Sequence, residues 1–205
     1  MNSHGTLYIL SAPSGAGKTS LVKTLVGEMT NIIVSVSYTT RSQRPGEVDG
    51  VNYHFITEEA FNKLISEKQF LEHATVFGHH YGTSRTWVEE KLKGGIDVIL
   101  EIDWQGAEQI RRLLPQSISV FILPPSLEVL LERLRARKQD NPEVISKRMA
   151  LASAEMSHFN EYDYLVVNDD FATAVADLKA IVLSRRLLTP IQKVKLALML
   201  RNLLA

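Results

Sequence analysis

The chain has 205 residues, 23 basic (Lys and Arg) and 23 acidic (Asp and Glu) side chains, and no cysteine. A formal net charge of zero argues against a generally basic nucleic-acid-binding protein, and the absence of cysteine excludes both a disulfide scaffold and a cysteine-rich zinc site. Before Gly15 the only apolar run is Leu7–Leu10, which is too short for a signal peptide or a membrane span. We therefore expect one cytoplasmic domain with an inserted lobe, and neither nucleic acid nor a membrane as a partner.

The first predicted elements are a strand, a glycine-rich loop and a helix. Thr6–Leu10 is a β-prone apolar run, and helical spacing of apolar residues begins after Gly17. Between them, APSGAGKT fits the phosphate-loop pattern G-x-x-x-x-G-K-[ST] except for alanine at its first position. That alanine is compatible with the loop if its φ stays negative, and Pro13 favours an extended Ala12. The alternative is a chance glycine turn before an ordinary helix.

In a phosphate loop, backbone N–H groups at a helix N-terminus form an anion site. Gly15 and Gly17 allow backbone angles that a side chain would block, and Lys18 reaches the β- and γ-phosphates. The Thr19 hydroxyl is a candidate ligand of Mg²⁺. The predicted nucleotide-binding residues of the loop are Ala12, Pro13, Ser14, Gly15, Ala16, Gly17, Lys18 and Thr19.

Buried strands alternate with helices along most of the remaining chain. Strands are predicted over 32–37, 96–102, 117–123 and 164–168, and helices over 84–93, 103–113, 126–138 and 142–157. Such alternation favours an α/β fold whose parallel sheet is covered by helices on both faces.

Two stretches depart from this alternation. Residues 37–83 are rich in Tyr, Thr, Arg, Gly and His, and we interpret them as a small β-rich lobe inserted into the α/β core. Residues 190–205 are predicted to form an amphipathic helix, because apolar positions recur at helical spacing after Pro190. This helix either packs on the core or forms a contact between copies in a homo-oligomer.

Four segments carry a resemblance to a known family. They are SAPSGAGKTSL, SYTTRSQRPGEVDGVNYHF, FLEHATVFGHHYGTS and ILEIDWQGA. Together they resemble guanylate kinase, the P-loop enzyme that phosphorylates GMP with ATP in purine nucleotide metabolism. The resemblance runs from about Gly5 to Arg186; its arginine–tyrosine segment is highly specific, and the glycine loop is much less so. Alanine at the position of Ala12 is an accepted variant in that family.

The resemblance implies a GMP site on the inserted lobe. The residues that match it are Ser37, Arg41, Arg44, Tyr53, Glu72, Tyr81, Thr83 and Asp103. The two arginines and two tyrosines would hold the GMP phosphate, while Ser37 and Thr83 would help Glu72 to recognise guanine. A carboxylate accepts hydrogen bonds from guanine N1–H and the N2 amine, neither of which adenine offers. Without the resemblance, the arginines would be interpreted as a solvated loop and Glu72 as an outward strand position.

Glu101 and Asp103 end a predicted buried strand, which is where ligands bind in open α/β sheets. Two residues apart on a strand, their side chains should point to one face. The resemblance places Asp103 beside the guanine and Glu101 near Mg²⁺, and Asn168 at the position that contacts the adenine of ATP. The alternative for the two carboxylates is a charged strand end in solvent.

Residues 126–159 resemble the helical lid of the family. Arg133 and Arg137 lie one helical turn apart, and Arg148 lies in the next predicted helix. Cations that arrive with lid closure would stabilise the charge on a phosphoryl group in transfer. The predicted catalytic residues are Lys18, Arg41, Arg44, Arg133, Arg137 and Arg148. The alternative for the lid arginines is an ordinary solvated helix face.

The expected organisation is a single domain, 1–205, with a core of 1–36, 84–125 and 160–205. The GMP-binding lobe would span 37–83 and the lid about 126–159. The expected activity is direct in-line transfer from ATP to GMP, and also to dGMP, with Mg²⁺. Two alternatives stay open: a guanylate-kinase-like binding module, which generally lacks an intact phosphate loop, and a related kinase of ribose 1,5-bisphosphate, which should lack Glu72 with the arginine–tyrosine segment.

Overall fold

The computed structural model describes residues 4–136 and 142–205. Its strands are β1 (Leu7–Ser11), β2 (Ile32–Val34), β3 (Tyr38–Thr39), β4 (His54–Phe55), β5 (Phe70–Val76), β6 (His79–Ser84), β7 (Asp97–Glu101), β8 (Ile118–Leu123) and β9 (Tyr164–Val167). Its α-helices are α1 (Lys18–Glu28), α2 (Glu58–Ser66), α3 (Arg85–Lys93), α4 (Trp104–Leu113), α5 (Leu127–Ala136), α6 (Pro142–Met156), α7 (Phe171–Arg186), α8 (Thr189–Lys195) and α9 (Ala197–Leu203). A 3₁₀ helix, Ser157–Glu161, follows α6.

The central sheet has five strands in the order β2-β7-β1-β8-β9, and every neighbouring pair is parallel. Because side chains alternate along a strand, β1 contributes to two separate cores. Tyr8 and Leu10 pack with α1 and α7 on one face, whereas Leu7 and Ile9 pack with α3 and α4 on the other. The predicted parallel sheet with helices on both faces is confirmed.

The stretch from Tyr38 to Ser84 forms a second, smaller sheet with the order β4-β3-β6-β5. Here β3 is parallel to β4, while β6 is antiparallel to both β3 and β5. Phe61 of α2 is fully buried and packs against Phe70 of β5, with ring centroids 4.6 Å apart and the ring planes tilted by 35°. The stretch contains six of the eight residues predicted to bind GMP, and three of these, Glu72, Tyr81 and Thr83, lie on its strands.

The last part of the chain differs from its prediction. Instead of one helix over 190–205, α8 and α9 are separate, and Leu196 between them has φ −102° and ψ 16°. Leu198 and Leu203 of α9 are about 70% exposed, at 70% and 71%. Because these leucines pack against little of the described protein, no buried face favours one continuous helix over two short ones. Short helices depend on such packing for their stability.

Hydrogen bonds to Asp97, the first residue of β7, join the end of helix α7 to the central sheet. Asp97 is buried and accepts hydrogen bonds from the Thr6 backbone N–H at 2.7 Å and from Arg186 Nε at 2.8 Å. Arg186 also donates to the carbonyl of Thr30 at 2.8 Å. In the described part of the chain, no helix has the length and apolar character that crossing a membrane would need.

Candidate active site

The loop between β1 and α1 has the backbone geometry of an anion site. Gly15 and Gly17 have φ values of 98° and 93°, and Gly17 is the residue at which α1 begins its first turn. Ala12 is not among the described non-glycine residues with positive φ, so its backbone does not require glycine. This geometry explains why a β-carbon at this position is compatible with the loop.

Asn168 holds this loop from the end of β9. Its side-chain Nδ2 donates to the carbonyl of Ala16 at 2.7 Å, while its own carbonyl accepts a hydrogen bond from Arg133 Nη2 at 2.9 Å. A β-carbon added at Gly17 would lie 2.3 Å from Asn168 Nδ2, so glycine is needed here for space as well as for its positive φ. The Asn168 Oδ1 atom is buried and accepts no hydrogen bond from the described residues.

Lys18, Thr19 and Glu101 meet where β7 ends beside the loop. Lys18 Nζ lies 3.5 Å from the carbonyl oxygen of Ile102, and burial lowers the pKa of its ammonium, an effect that nearby Glu101 and Asp103 partly offset. The Thr19 hydroxyl donates to Glu101 Oε2 at 2.9 Å. The two residues predicted to bind the metal are thus brought together.

Helices α5 and α6 pack over the phosphate loop. Buried Leu130 and Leu134 of α5 come so close to Gly15 that an added β-carbon would lie 3.0 Å from each of them. From α6, Arg148 Nη1 donates to Ser14 Oγ at 2.9 Å. Both Arg133 and Arg148 therefore reach the loop region, whereas Arg137 lies outside the described residues.

Glu155 of α6 is a carboxylate that also faces the loop. Burial raises the pKa of Glu155, while the backbone N–H of Ser14 lowers it. Asp103, Lys18 and Arg148 are close enough to add smaller electrostatic effects on its pKa. This side of the site therefore contains a carboxylate as well as the predicted arginines.

Arg41 is held by Glu47. Its Nη1 donates to Glu47 Oε2 at 3.0 Å and its Nη2 to Glu47 Oε1 at 2.7 Å, and both side chains are less than one-fifth exposed. The same carboxylate accepts a hydrogen bond from the Arg44 backbone N–H at 2.7 Å. The Arg41 guanidinium lowers the pKa of Glu47, so this carboxylate is ionised near neutral pH. Glu47 thus holds the side chain of Arg41 directly and holds the loop that carries Arg44 through the Arg44 backbone N–H.

Tyr53 and Tyr81 lie beside Arg41. The Arg41 guanidinium carbon is 5.3 Å from the ring centroid of Tyr53, and the Tyr53 and Tyr81 rings meet edge to face at 5.8 Å. Ser37 precedes β3, and its carbonyl accepts a hydrogen bond from His54 N–H at 2.9 Å. The structure therefore groups Arg41 with both tyrosines, and the backbone of Ser37 supports the same small sheet.

Glu72 is a buried carboxylate on β5. It is 3% exposed, and its Oε1 accepts a hydrogen bond from Thr83 Oγ1 at 2.6 Å. The pKa of Glu72 is raised to about 7, chiefly by burial and to a smaller extent by nearby Asp103, although the hydrogen bonds from Thr83 lower it. The alternative that Glu72 is an outward, solvent-exposed position on an alternating strand is wrong, because its side chain is buried against Gly106 of α4.

Asp103 does not lie on the strand. β7 ends at Glu101, and Asp103 caps α4, accepting a hydrogen bond from the Gly106 backbone N–H at Oδ1, 3.1 Å away. The expectation that Asp103 lies on the same strand as Glu101 is therefore wrong, although both carboxylates lie close enough to Lys18 to act on its pKa. The chain leaves the strand early because the aspartate side chain satisfies a free N–H group of the first helical turn.

Residues 4–185 match the family model described as guanylate kinase. This chain belongs to the guanylate kinase family. A guanylate kinase of Alcanivorax borkumensis is 58% identical over 205 residues, which are 100% of this chain and 99% of that protein. One of Saccharophagus degradans is 56% identical over 205 residues and covers 100% of both chains.

The fold of a solved guanylate kinase is also similar. The crystal structure of guanylate kinase from Anaplasma phagocytophilum superposes with a TM-score of 0.78 at 35% identity, covering 92% of this chain and 89% of that one. Family membership agrees with the resemblance drawn from the four sequence segments. The family membership also agrees with two features of the structure, the glycine loop between β1 and α1 and the smaller second sheet.

Three residues of the site, Glu47, Gly106 and Glu155, are not predicted from the sequence. Glu47 follows Arg44 by three residues, so a carboxylate among the loop arginines was the available signal. Gly106 lies inside a predicted helix, where glycine is unfavourable and needs a reason. Glu155 carries no signal of its own, because an acidic residue on a polar helix is ordinary.

Proposed function

We propose that this chain transfers the γ-phosphoryl group of ATP directly to the phosphate of GMP, yielding ADP and GDP, with dGMP as a second acceptor. The observation that carries the proposal is the buried carboxylate Glu72 in a chain of this family. Asp103 acts electrostatically on Glu72 and on Lys18 of the phosphate loop, so both halves of the site lie near one another. Because both substrates are cellular nucleotides, we expect the reaction in the cytoplasm.

On the donor side, the loop's N–H groups and Lys18 bind the ATP phosphates. The positive φ values at Gly15 and Gly17 support this role, since they turn successive N–H groups towards one point. Asn168 has two tasks in the proposal. Its Nδ2 holds Ala16, and its buried Oδ1, which has no hydrogen-bond partner among the described residues, is available to accept a hydrogen bond from the adenine amine.

On the acceptor side, Arg41, Arg44, Tyr53 and Tyr81 bind the GMP phosphate, with Ser37 at the edge of the same sheet. The grouping of Arg41 with both tyrosines supports this assignment. Arginine is suited to the task because its planar N–H groups match phosphate oxygens.

Glu72 would accept hydrogen bonds from guanine N1–H and the N2 amine, with Thr83 and Asp103 beside it. The hydrogen bond from Thr83 fixes one carboxylate oxygen, which supports a preorganised base site. Leaving such a buried acceptor unpaired is costly, so a site of this type rejects bases that lack the matching donors.

The residues at the end of β7 fit a magnesium ion. Thr19 and Glu101 offer a hydroxyl and a carboxylate oxygen 2.9 Å apart, and Mg²⁺ prefers hard oxygen ligands. Among residues 4–136 and 142–205, no group of three or more acidic or histidine side chains could hold a metal, which suits an ion bound mainly through substrate phosphates. When bound, Mg²⁺ would neutralise charge on the ATP phosphates.

In the transfer step, a phosphate oxygen of GMP forms a bond to the γ-phosphorus as the bond to the β–γ bridging oxygen breaks. Lys18 would draw charge from the leaving oxygen, while Arg41 and Arg44 orient the attacking phosphate. Arg133, Arg137 and Arg148 would stabilise the charge on the moving group and exclude water as α5 and α6 close. The position of Arg133 and Arg148 against the loop region supports this role.

Acceptor specificity tests the proposal. ADP formation would be measured with ATP and Mg²⁺ and with GMP, dGMP, AMP, dTMP or ribose 1,5-bisphosphate as the acceptor. We expect turnover only with the two guanine nucleotides. Turnover with ribose 1,5-bisphosphate instead would make the chain the related sugar-phosphate kinase, and GMP binding without turnover would make it a binding module.

We also propose that copies of this chain associate through α8 and α9. The support is the exposed leucine surface of α9 in Leu198 and Leu203. Sedimentation equilibrium of the unchanged chain and of Leu198→Glu/Leu203→Glu would test it. We expect an oligomer that the double substitution dissociates; a monomer in both cases would overturn the proposal.

A further inference from the structure

Gly106 lies in the first turn of α4, buried directly against the carboxylate of Glu72. A β-carbon added at Gly106 would lie 2.4 Å from Glu72 Oε2 and 3.1 Å from Glu72 Cδ. Non-bonded heavy atoms pack at separations of about 3.5 to 4.0 Å, so the space beside Gly106 is too small for a methyl group. The carboxylate fills the volume that any other side chain at position 106 would need.

Folding of α4 gives no reason for this glycine. Gly106 is inside the helix and is not among the glycines with positive φ, and alanine is the better helix former at such a position. Its N–H donates to Asp103 Oδ1, a bond that any residue except proline could make. The next neighbour of the added β-carbon, Ile102 Cβ, is 3.4 Å away and needs little adjustment.

The Glu72 carboxylate has little freedom on its other side. Thr83 Oγ1 donates to its Oε1 at 2.6 Å, and the side chain is 3% exposed. A methyl group at position 106 would turn the carboxylate away from Oε2's present position and strain the bond to Thr83. Because only the end of one side chain has to move, the fold would tolerate a change that the binding site would not.

We propose that Gly106 is a positioning residue for guanine recognition: its missing side chain lets Glu72 present both carboxylate oxygens in the plane of the base. This inference rests on the proposed function, because it explains how that same site selects its acceptor. Gly106 touches no reacting atom; it acts through Glu72. The preference for guanine would then depend on position 106 carrying a hydrogen atom instead of a methyl group.

The test is Gly106→Ala, with Gly27→Ala as the matched control. Gly27 lies in α1 and is exposed. A β-carbon added at Gly27 would have no neighbouring atom of the described residues within 4 Å, apart from its own chain neighbours and the backbone of α1. We expect Gly106→Ala to raise the KM for GMP about tenfold or more while KM for ATP and kcat change less than about threefold. Preference for GMP over IMP, which keeps N1–H but lacks the N2 amine, should fall about fivefold or more. The Gly27→Ala variant should match the unchanged enzyme.

A double substitution separates this role from a structural one. In a Glu72→Ala background the carboxylate is gone, so adding Gly106→Ala should change KM for GMP less than about twofold. If Gly106→Ala alone folds poorly, the same double variant should recover its unfolding midpoint, because the clashing atoms are removed. An equal loss in both backgrounds, or no recovery, would overturn the inference, as would an unchanged GMP-to-IMP preference in the folded single variant.

The outcomes also distinguish this inference from the proposed function. If the unchanged enzyme shows no GMP turnover, the proposed function fails, and the midpoint comparison of the single and double variants still judges the packing claim. If the unchanged enzyme phosphorylates GMP but Gly106→Ala does so with the same KM and preference, only the inference fails.

Discussion

The charge of Glu72 is balanced between two opposing demands. Guanine recognition needs an ionised carboxylate, yet burial beside Asp103 favours the neutral form and raises the pKa of Glu72 to about 7. The hydroxyl and the backbone N–H of Thr83 both work against this by favouring the ionised form. The empty site therefore carries a mixture of both forms near neutral pH, and GMP would select the ionised one.

We expect the apparent affinity for GMP to rise with pH between about 6 and 8, because binding draws a proton off Glu72. Below the pKa of Glu72, the KM for GMP should increase by up to about tenfold for each unit by which the pH is lowered. The GMP phosphate also titrates near 6, so the measurement is the KM profile of the unchanged enzyme relative to Glu72→Gln.

The glutamine variant has no carboxyl proton to lose and should keep only the dependence that comes from the phosphate. Its KM for GMP should be raised about 100-fold, since an amide N–H would face the N2 amine, while ATP binding is retained. Identical pH profiles, or equal loss of GMP and ATP affinity, would contradict the assigned role of Glu72.

Glu47 is expected to order the phosphate-binding loop before GMP arrives. Glu47→Ala removes the paired hydrogen bonds to Arg41 and the bond to the Arg44 backbone, so kcat/KM for GMP should fall about tenfold or more through lost positioning. Steady-state kinetics at saturating ATP would measure it.

The control for Glu47 is Glu67→Ala, which removes a carboxylate that forms an exposed ion pair with Lys63 at 3.9 Å. Exposed pairs contribute little, so this variant should behave like the unchanged enzyme. If Glu47→Ala binds GMP more tightly, its carboxylate competes with the phosphate for Arg41 instead of orienting it.

At the scale of elements, local patterns predicted what depends on local sequence. The first strand, the glycine loop and α1 follow from an apolar run and the Gly15–Lys18 spacing, and the parallel sheet follows from buried runs separated by helices. The capping role of Asp103 was missed because boundaries between strand and helix depend on which N–H groups need a partner. The contacts of Glu47 and Gly106 were missed because they depend on a loop conformation and on how α4 meets β5.

We expect the packing of α5 on the phosphate loop to couple the stability of the fold to nucleotide binding. Leu134 is 1% exposed and lies against Gly15, so Leu134→Ala should leave a cavity and lower the free energy of unfolding by about 2 to 5 kcal/mol. The loosened loop should raise KM for ATP more than KM for GMP. Urea unfolding and steady-state kinetics measure the two effects.

Leu127→Ala in the same helix is the matched control, because Leu127 is 43% exposed. It should cost less than about 1 kcal/mol, the range of surface substitutions, and leave both KM values unchanged. Equal effects of the two substitutions on KM for ATP would show that α5 does not support the loop through Leu134.

For the whole molecule, Asp97 connects α7 to the sheet at the end away from the nucleotide site. Asp97→Ala leaves the Thr6 N–H without its partner and Arg186 without its carboxylate, so we expect a loss of about 2 to 4 kcal/mol in the free energy of unfolding. At this chain length, that corresponds to a melting temperature lower by about 4 to 16 °C. Calorimetry measures it.

Activity well below the melting temperature should be unchanged in Asp97→Ala, because the hydrogen bonds of its side chain within the described part of the chain go to Thr6 and Arg186, which lie outside the site. Glu28→Ala is the control, since Glu28 pairs with Lys179 between α1 and α7 in a partly exposed ion pair. That loss should be less than about 1 kcal/mol. Equal destabilisation by both substitutions would mean that the buried bonds of Asp97 contribute no more than a surface pair.

The hydrogen bond from Asn168 to Ala16 spans 152 positions of the chain. During synthesis the phosphate loop leaves the ribosome among the first residues, while the strand that holds it arrives near the end. β1, β7 and β8 can pair before then, but the loop lacks the amide that holds Ala16 and the carbonyl that receives Arg133. A nascent chain therefore cannot form the hydrogen bonds of Asn168 with Ala16 and Arg133 until most of the protein has been translated.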